Sequence, residues 1–334
     1  MNITNKLLPL FSWIVALALA IWILSFLPLD AVLQSLTAIS FSDWFLWIGL
    51  NIAVILLLTS RWQILTNAMQ FTVGFFQLLR VRQAGQLISF VTPGPQFGGE
   101  PLQIYWLWRK FAAPVHMAFL AVGLDRFFEL WVNFTILLLA ALTLLYSSSA
   151  PLFNWQYVAL VLLAVISMML IGGWFLIARP ENFYQRVSRI IQPWLHHERL
   201  QQLDAHLSEF HNELKNIFSN GRQKLRAALL MSILAWAVML AEFWVLLSII
   251  DIPLSVTTYI LLFTLMRLAF LLPLPGGIGT VEAALFSGFQ ILSLPLPAAT
   301  SLIALIRLRD IIILLFGASL LPGLHNNKTK DISQ

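Results

Sequence analysis

Apolar runs long enough to cross a membrane recur along this chain, and they limit the folds open to it. A helix needs roughly 20 apolar residues to cross the hydrocarbon core of a bilayer. Six runs meet this requirement: 7–28, 44–66, 117–146, 157–178, 227–250 and 299–321. With 59% hydrophobic and 10% charged residues, the chain has more apolar surface than a soluble domain can bury. We therefore predict an all-α polytopic membrane protein with six full spans.

The distribution of Lys and Arg predicts the orientation. If the N-terminus is cytoplasmic, sixteen of the 20 basic residues, Arg61 and Arg82 among them, fall on the cytoplasmic side. The loops on the opposite side hold none: 28–43, 147–156, 251–254 and 290–298. This imbalance follows the positive-inside rule, which also explains the net charge of +5 without nucleic-acid binding. We predict a multi-pass protein of the inner membrane with both termini in the cytoplasm.

Two further apolar stretches, 84–113 and 255–295, are interrupted by Pro and Gly. The interruptions are Pro93, Gly94, Gly98 and Gly99 in the first stretch, and Pro275, Gly276, Gly277 and Gly279 in the second. Non-helical backbone at membrane depth is tolerated only where protein or a water-filled cavity surrounds it. We interpret both stretches as broken, re-entrant helical hairpins beside a polar cavity. The alternative is that Pro and Gly simply end helices in loops at the membrane surface.

The two broken stretches resemble each other. A shift of 182 residues aligns Pro93 with Pro275 and Glu100 with Glu282, and a charged group follows in each copy (125–126 and 307–310). Three predicted crossings separate the copies, so they enter the membrane from opposite faces. This is the arrangement of inverted-repeat transporters. We predict one transmembrane domain, 1–325, with repeats at about 44–146 and 227–321, and a cytoplasmic tail, 326–334.

The largest polar segment is 179–226, which we predict to be cytoplasmic. Its apolar residues recur every three or four positions, as in an amphipathic helix lying on the membrane or the bundle: Leu200, Leu203, Leu207, Phe210, Leu214 and Ile217. Four histidines of this segment, at 196, 197, 206 and 211, lack a recognisable ligand spacing. The chain also has no cysteine. We predict no metal site and no cofactor.

Charged residues in or beside the apolar stretches are the candidate functional residues. Each ionised group at the centre of a membrane helix costs about 2.5–3.5 kcal/mol, so these groups must pair, line water or bind a charged ligand. We predict a lipid-headgroup site formed by Glu100, Asp125, Arg126, Glu129, Arg267, Glu282, Arg307, Arg309 and Asp310. Glu242 belongs to the same group of buried charges. The alternative is that ion pairs among them only fasten the helices together.

The residue types indicate how such a site would work. Arginine offers a planar fork of donors that suits phosphate, and backbone N–H groups at the glycine-rich breaks would add to an anion site. Asp125 and Glu129 lie on one helix face, and Arg307 and Asp310 are spaced for a local pair. Glu100 and Glu282 could each orient an arginine, cap a half-helix, or bind a cationic headgroup or a proton.

At these residues the sequence resembles the membrane region of lysylphosphatidylglycerol synthases. The motif TPGPQFGGEPLQIYWLWRK followed by VGLDRFFEL, and the motif LPLPGGIGTVEAALF followed by ALIRLRD, are similar to that family's paired patterns. The resemblance covers roughly 10–325 and implies a flippase-like fold that moves a lipid or lipid-linked group between leaflets. Bifunctional members add a soluble aminoacyl-transferase domain, which we expect to be absent here, so the resemblance does not imply lysyl transfer.

Three functions are consistent with this sequence. The first is an inner-membrane lipid translocator. The second is a membrane-embedded transferase with a lipid-linked donor and Glu100 or Asp125 as general base, and the third is an accessory partner of a lipid-modifying enzyme. The predicted partners are membrane lipids, such an enzyme and a second copy of the chain, but not nucleic acid.

Overall fold

The computed structural model describes residues 39–69, 71–92, 98–146, 154–178, 213–253, 255–272 and 274–321, with single positions at 14, 18, 21 and 324. Within these ranges every regular element is a helix and no strand occurs. The predicted span 7–28, the tail 326–334 and most of the segment 179–226 lie outside the described residues. The all-α prediction is confirmed for the part of the chain that is described.

The helices follow one another through short connections. In chain order they are α1 (Phe41–Ala68), α2 (Phe75–Val91), α3 (Glu100–Phe111), α4 (Val115–Leu145), α5 (Trp155–Ala178), α6 (Arg222–Ile249), α7 (Val256–Phe270), α8 (Thr280–Ile291) and α9 (Leu296–Leu320). A 3-10 turn, Pro275–Gly277, precedes α8. Residues 213–220 are also helical and lead into α6.

Among the described residues, four helices are long and apolar enough to cross a membrane: Phe41–Ala68, Val115–Leu145, Trp155–Trp174 and Arg222–Ile249. They coincide with four of the six predicted spans. The predicted span 299–321 lies on α9, which has 25 residues but carries Arg307, Arg309 and Asp310 in its middle and is not one of the four. Several membrane helices are therefore present, while the count of six stays a prediction.

The distribution of apolar and charged side chains is that of a membrane-embedded protein. On α5, Leu160 is 60% exposed and Trp174 56% exposed, whereas Arg61 and Arg307 are only 0% and 1% exposed. A protein in water would gain by reversing this arrangement, because exposed apolar area is unfavourable there. In a bilayer the apolar side chains face lipid and the charged ones must be enclosed by protein.

Residues that cap or precede a helix stand at the starts of α2, α4, α7 and α9. The Ser255 hydroxyl accepts a hydrogen bond from the Thr258 N–H at 3.0 Å and caps α7, while Gly74 precedes α2 at the corresponding place. Pro114 immediately precedes α4 and Pro295 immediately precedes α9. Proline fixes an extended approach to the helix and donates no N–H, so it ends the preceding turn cleanly.

Helices α1–α4 recur as α6–α9. The starting residues differ by 181 for Phe41 and Arg222, by 181 for Phe75 and Val256, by 180 for Glu100 and Thr280, and by 181 for Val115 and Leu296. In each set a long helix is followed by two shorter ones and then by another long helix. The order of long and short helices is thus the same over 41–145 and 222–320.

The two sets pack into a single bundle. Helices α1 and α6 make the most extensive contact of any helix pair, α2 packs on α9 of the second set, and α7 packs on α4 of the first. Gly317 of α9 lies so close to α2 that a Cβ there would be 2.6 Å from the Gln83 carbonyl oxygen. Small residues allow membrane helices to approach this closely. Each set therefore contributes a short helix that packs on a long helix of the other set.

The end of the polar segment belongs to this bundle. Leu214 and Ile217 are buried, 6% and 1% exposed, in a core formed mainly by α1–α4 and the end of α9. The remaining apolar positions of the predicted amphipathic helix, 200–210, lie outside the described residues. At its end, the segment packs on protein.

Candidate functional site

The second break is a tight turn that requires glycine. Gly276 and Gly277 adopt φ values of +57° and +61°, and Gly279 adopts +83°. This left-handed region is strained for residues with a Cβ. At Gly276 a Cβ would also lie 2.3 Å from the ring of Phe90 on α2. The second break of the chain therefore lies directly against the first repeat.

The first break is described only at its end. Pro93 and Gly94 lie outside the described residues, whereas Gly98 and Gly99 are described. A Cβ at Gly99 would be 2.0 Å from the Gly85 carbonyl oxygen of α2, so the start of α3 and the middle of α2 are in backbone contact. Glycine is needed at this close approach.

A glutamate at the start of a short helix follows each break. The Gly98 N–H donates to Glu100 Oε2 at 2.7 Å, and the Gly279 N–H donates to Glu282 Oε2 at 2.8 Å. A carboxylate at a helix N-terminus satisfies free N–H groups and interacts favourably with the helix dipole. Capping a half-helix was one of the roles predicted for these two glutamates.

The second oxygen of each glutamate binds an arginine on the following long helix. Glu100 Oε1 lies 2.6 Å from Arg126 Nε, and Glu282 Oε1 lies 2.7 Å from Arg307 Nε. We call Glu100–Arg126 and Glu282–Arg307 the capping pairs. Each ties the start of a half-helix to the long helix beside it, so both glutamates also orient an arginine, as predicted.

Each capping arginine has a further acidic partner three residues along its own helix. Arg126 Nη1 lies 3.2 Å from Glu129 Oε1, and Arg307 Nη1 lies 3.0 Å from Asp310 Oδ2. Residues three apart are neighbours on a helix surface. The pair predicted from the spacing of Arg307 and Asp310 is confirmed, and the first repeat contains its equivalent.

Two arginines missed as site residues complete the first charge cluster. Asp125 binds Arg61 Nε at 2.7 Å and Arg82 Nη1 at 2.8 Å. Both arginines also contact Glu129 Oε2, at 3.2 and 3.3 Å. The first charge cluster therefore consists of Arg61, Arg82, Glu100, Asp125, Arg126 and Glu129.

The positions of Arg61 and Arg82 correct the sequence interpretation. Both were counted among the basic residues of the cytoplasmic face, but Arg61 is 0% exposed and Arg82 8% exposed inside the bundle. Arg61 lies within the apolar run 44–66, which was the available signal. Buried charges are paired when they occur in a membrane, and this requirement explains why both arginines turn inward to Asp125.

The second charge cluster consists of Glu242, Glu282, Arg307, Arg309 and Asp310. Arg309 contacts Glu242 at 3.5 Å and Asp310 at 3.2 Å. Trp47 of α1 donates its indole N–H to Glu242 Oε1 at 2.8 Å. Arg307 also donates to the carbonyl oxygens of Gly276 and Gly277, at 3.0 and 3.1 Å, and so fixes the glycine turn.

Arg267 differs from the other buried arginines. It forms no ion pair with any described residue. Its Nη2 donates to Asn133 Oδ1 at 3.2 Å, and its guanidinium lies 4.5 Å from the centre of the Trp236 ring. Its Nε is buried and has no hydrogen-bond partner among the described residues. A buried guanidinium that no described carboxylate contacts is costly, which makes Arg267 the strongest candidate for contact with an anion.

A cavity of about 180 Å³ lies between the two sets of helices. Its charged lining residues are Arg82, Arg126, Glu129, Glu242, Arg267, Arg309 and Asp310. The uncharged lining includes Asn51, Gln83, Gln86 and Ser89, with Gly276 and Gly277 of the second break. Glu100, Asp125, Glu282 and Arg307 are not among the lining residues, and they support the lining from behind. At about 30 Å³ for each water molecule, this volume corresponds to about six waters.

The predicted anion site at the glycine breaks has competition from within the protein. The N–H groups of Gly98 and Gly279 already donate to Glu100 and Glu282. Three of the four arginines proposed for phosphate, namely Arg126, Arg307 and Arg309, already bind carboxylates. Most of these charges therefore pair with one another, as in the alternative interpretation, and the binding of a headgroup stays a prediction.

No group of three or more potential metal ligands occurs among the described residues. The four histidines at 196, 197, 206 and 211 lie outside them. The charged groups that line the cavity are carboxylates and guanidinium groups.

The described residues define a helical membrane protein with a charged cavity between its helices. The sequence model of the family described as "Lysylphosphatidylglycerol synthase TM region" matches residues 13–317, and the chain belongs to this family. No solved structure matches the chain.

Two relatives from methanogenic archaea are similar over most of their length. A UPF0104 membrane protein of Methanothermobacter thermautotrophicus is 26% identical over 252 residues, 70% of this chain and 70% of the relative. A UPF0104 membrane protein of Methanocaldococcus jannaschii is 21% identical over 310 residues, 91% of this chain and 90% of the relative. Both names describe membrane proteins and neither states an activity.

Proposed function

We propose that this protein is a lipid translocator of the inner membrane that moves a phospholipid or a lipid-linked substrate between leaflets. One observation carries the proposal: the charged cavity is lined by both helix sets and contains Arg267, a guanidinium without an ion pair among the described residues. A lipid headgroup crossing the bilayer needs such a polar passage, because its charge is costly in hydrocarbon.

The proposed topology is an inverted repeat with both termini in the cytoplasm. In it, α2–α3 enters from the cytoplasmic side and α7–α8 from the opposite side, within one transmembrane domain. The recurrence of four helices at a spacing of 180 or 181 residues supports this arrangement, as do the two capping pairs. The packing of α2 on α9 and of α7 on α4 is reciprocal. A pseudo-twofold axis would produce such a reciprocal pair of contacts.

The residues of the site have three roles in this proposal. Arg267 binds the headgroup, and Arg126, Glu129, Arg309 and Asp310 form the charged wall of the passage. The remaining four predicted site residues, Glu100, Asp125, Glu282 and Arg307, hold that wall in place. The charges of the wall are paired with one another, so they bind the headgroup weakly. The headgroup can therefore leave the cavity.

Translocation can be measured with the purified protein in liposomes. Fluorescent lipids with phosphoglycerol, phosphoethanolamine or polyprenyl-phosphate headgroups would be placed in one leaflet, and their loss to a reducing quencher followed. We expect protein-dependent movement of at least one class, reduced at least tenfold by Arg267→Gln. Arg109→Gln is the control, because Arg109 is exposed on α3 and only stacks on Trp108. Folded protein that moves none of these lipids would contradict the proposal.

No observation favours the transferase alternative. Glu100 and Asp125, its suggested general bases, already bind Arg126 and the pair Arg61 and Arg82. Either carboxylate would have to lose an arginine contact before it could approach a substrate. The partner hypothesis depends on the 179–226 segment, most of which lies outside the described residues.

A further inference from the structure

We propose that the cavity selects lipids whose headgroup carries a phosphate anion and an otherwise uncharged polar group, and that it rejects cationic, aminoacylated headgroups. This inference rests on the proposed function for the identity of the cavity as the headgroup site. It goes beyond that function because it assigns the charge that the site accepts.

The carboxylates of the cavity wall are already occupied. Glu129 Oε1 binds Arg126, and its Oε2 binds both Arg61 and Arg82. Asp310 divides its two oxygens between Arg307 and Arg309 in the same way. A cationic headgroup would have to displace an arginine from one of these carboxylates.

Glu242, the third acidic residue of the wall, is occupied as well. Its Oε1 accepts the Trp47 indole N–H at 2.8 Å, and its Oε2 faces Arg309 at 3.5 Å. Displacing an arginine from such a pair leaves a buried charge uncompensated, which is strongly unfavourable. Among the described residues the cavity therefore offers no carboxylate to a lysyl or other ammonium group.

Arg267 has the opposite character. The Trp236 ring covers its guanidinium at 4.5 Å, and Asn133 accepts one of its N–H groups at 3.2 Å. Its buried Nε–H has no acceptor in the part of the chain that is described. Arginine and phosphate form short, charge-assisted and often bidentate hydrogen bonds. A phosphate would supply both a negative charge in direct contact with the guanidinium and an acceptor for the Nε–H.

The uncharged part of the lining suits hydroxyl groups. The buried Gln83 amide oxygen has no hydrogen-bond partner within the described ranges, and Gln86, Asn51 and Ser89 line the same cavity. Asn51 donates its N–H to the Trp47 carbonyl oxygen, so its own oxygen can still accept. Such amides can bind glycerol or sugar hydroxyls without adding charge.

Lipid binding to the purified protein in detergent tests this selectivity without requiring translocation. Four ligands would compete by native mass spectrometry: phosphatidylglycerol, a polyprenyl-phosphate sugar, phosphatidylethanolamine and lysylphosphatidylglycerol. We expect one or both of the first two to bind at least tenfold more tightly than the last two. Which of them binds more tightly identifies the source of the phosphate.

Two substitutions test the assignment to Arg267. Arg267→Gln should remove the preference for anionic lipids, whereas Arg267→Lys, which keeps the charge, should retain part of it. Thermal unfolding would be measured to establish that both variants are folded. Arg109→Gln should bind lipids as the unmodified protein does. Tightest binding of lysylphosphatidylglycerol, or an unchanged preference in folded Arg267→Gln protein, would overturn the inference.

The binding experiment tests the inference and the translocation experiment tests the proposed function, so their results can be told apart. Selective binding of an anionic lipid without movement would leave the inference standing and refute the translocator. Movement of all lipid classes without selective binding would refute the inference and keep the translocator.

Discussion

Asp125 is the residue on which most of the first charge cluster depends. It binds Arg61 at 2.7 Å and Arg82 at 2.8 Å, and it thereby joins α1, α2 and α4. The cost of enclosing these arginines is offset only while their carboxylates remain ionised and close. At the residue scale, the protein is stabilised by specific pairs rather than by a general excess of opposite charge.

Asp125→Asn should therefore be strongly destabilising. Removing one partner of a buried ion pair costs about 3–5 kcal/mol, because the remaining charge is uncompensated. Thermal unfolding in detergent would measure the loss. Asp251→Asn is the matched control, since Asp251 is exposed and Asn tolerates its left-handed backbone, with φ of +54°. Equal unfolding temperatures for the two variants would contradict this role of Asp125.

At the scale of elements, the 3-10 turn Pro275–Gly277 lies between α7 and α8 and contacts α2 of the other set. Its glycines adopt left-handed backbone, its carbonyl oxygens accept from Arg307, and Gly276 packs on Phe90 of α2. A turn held from three directions cannot relax around an added side chain. These contacts therefore fix the position of the start of α8.

Gly276→Ala should destabilise the protein, because backbone strain and contact with Phe90 act together. Strained backbone of this kind costs about 1–3 kcal/mol before the steric contact is counted. Gly123→Ala is the matched control: Gly123 lies in α4 with no atom near its missing Cβ, and alanine favours helix. Unfolding measured side by side should give opposite signs, and a loss no greater for Gly276→Ala would refute the assigned strain.

Local patterns in the sequence predicted the local contacts and missed the distant ones. The pairing of Arg307 with Asp310 and the capping by Glu100 and Glu282 follow from spacing within one or two turns of helix. Arg61 and Arg82 are 64 and 43 residues from Asp125, and no periodic pattern connects them. Their inward orientation depends on how α1, α2 and α4 pack, which the sequence alone does not indicate.

At the scale of the whole molecule, the two repeats are similar in geometry but not identical in charge. Arg61 of α1 and Glu242 of α6 are 181 residues apart, so they occupy corresponding positions with opposite sign. The first cluster balances three arginines against three carboxylates, whereas the second has two arginines and three carboxylates. Arg267 supplies the sixth positive charge. A cavity between two such halves is asymmetric, so a headgroup would meet a different environment on each side.

The sidedness of two corresponding turns tests the proposed inverted repeat most directly. Thr72 precedes α2 and Pro253 precedes α7, both are exposed, and their numbers differ by 181. The chain has no native cysteine, so Thr72→Cys and Pro253→Cys each introduce a single thiol. A membrane-impermeant maleimide would be applied to sealed vesicles of both orientations. We expect Thr72→Cys to be labelled only from the cytoplasmic side and Pro253→Cys only from the opposite side. Labelling of both from the same side would contradict the inverted arrangement and the enclosed passage that depends on it.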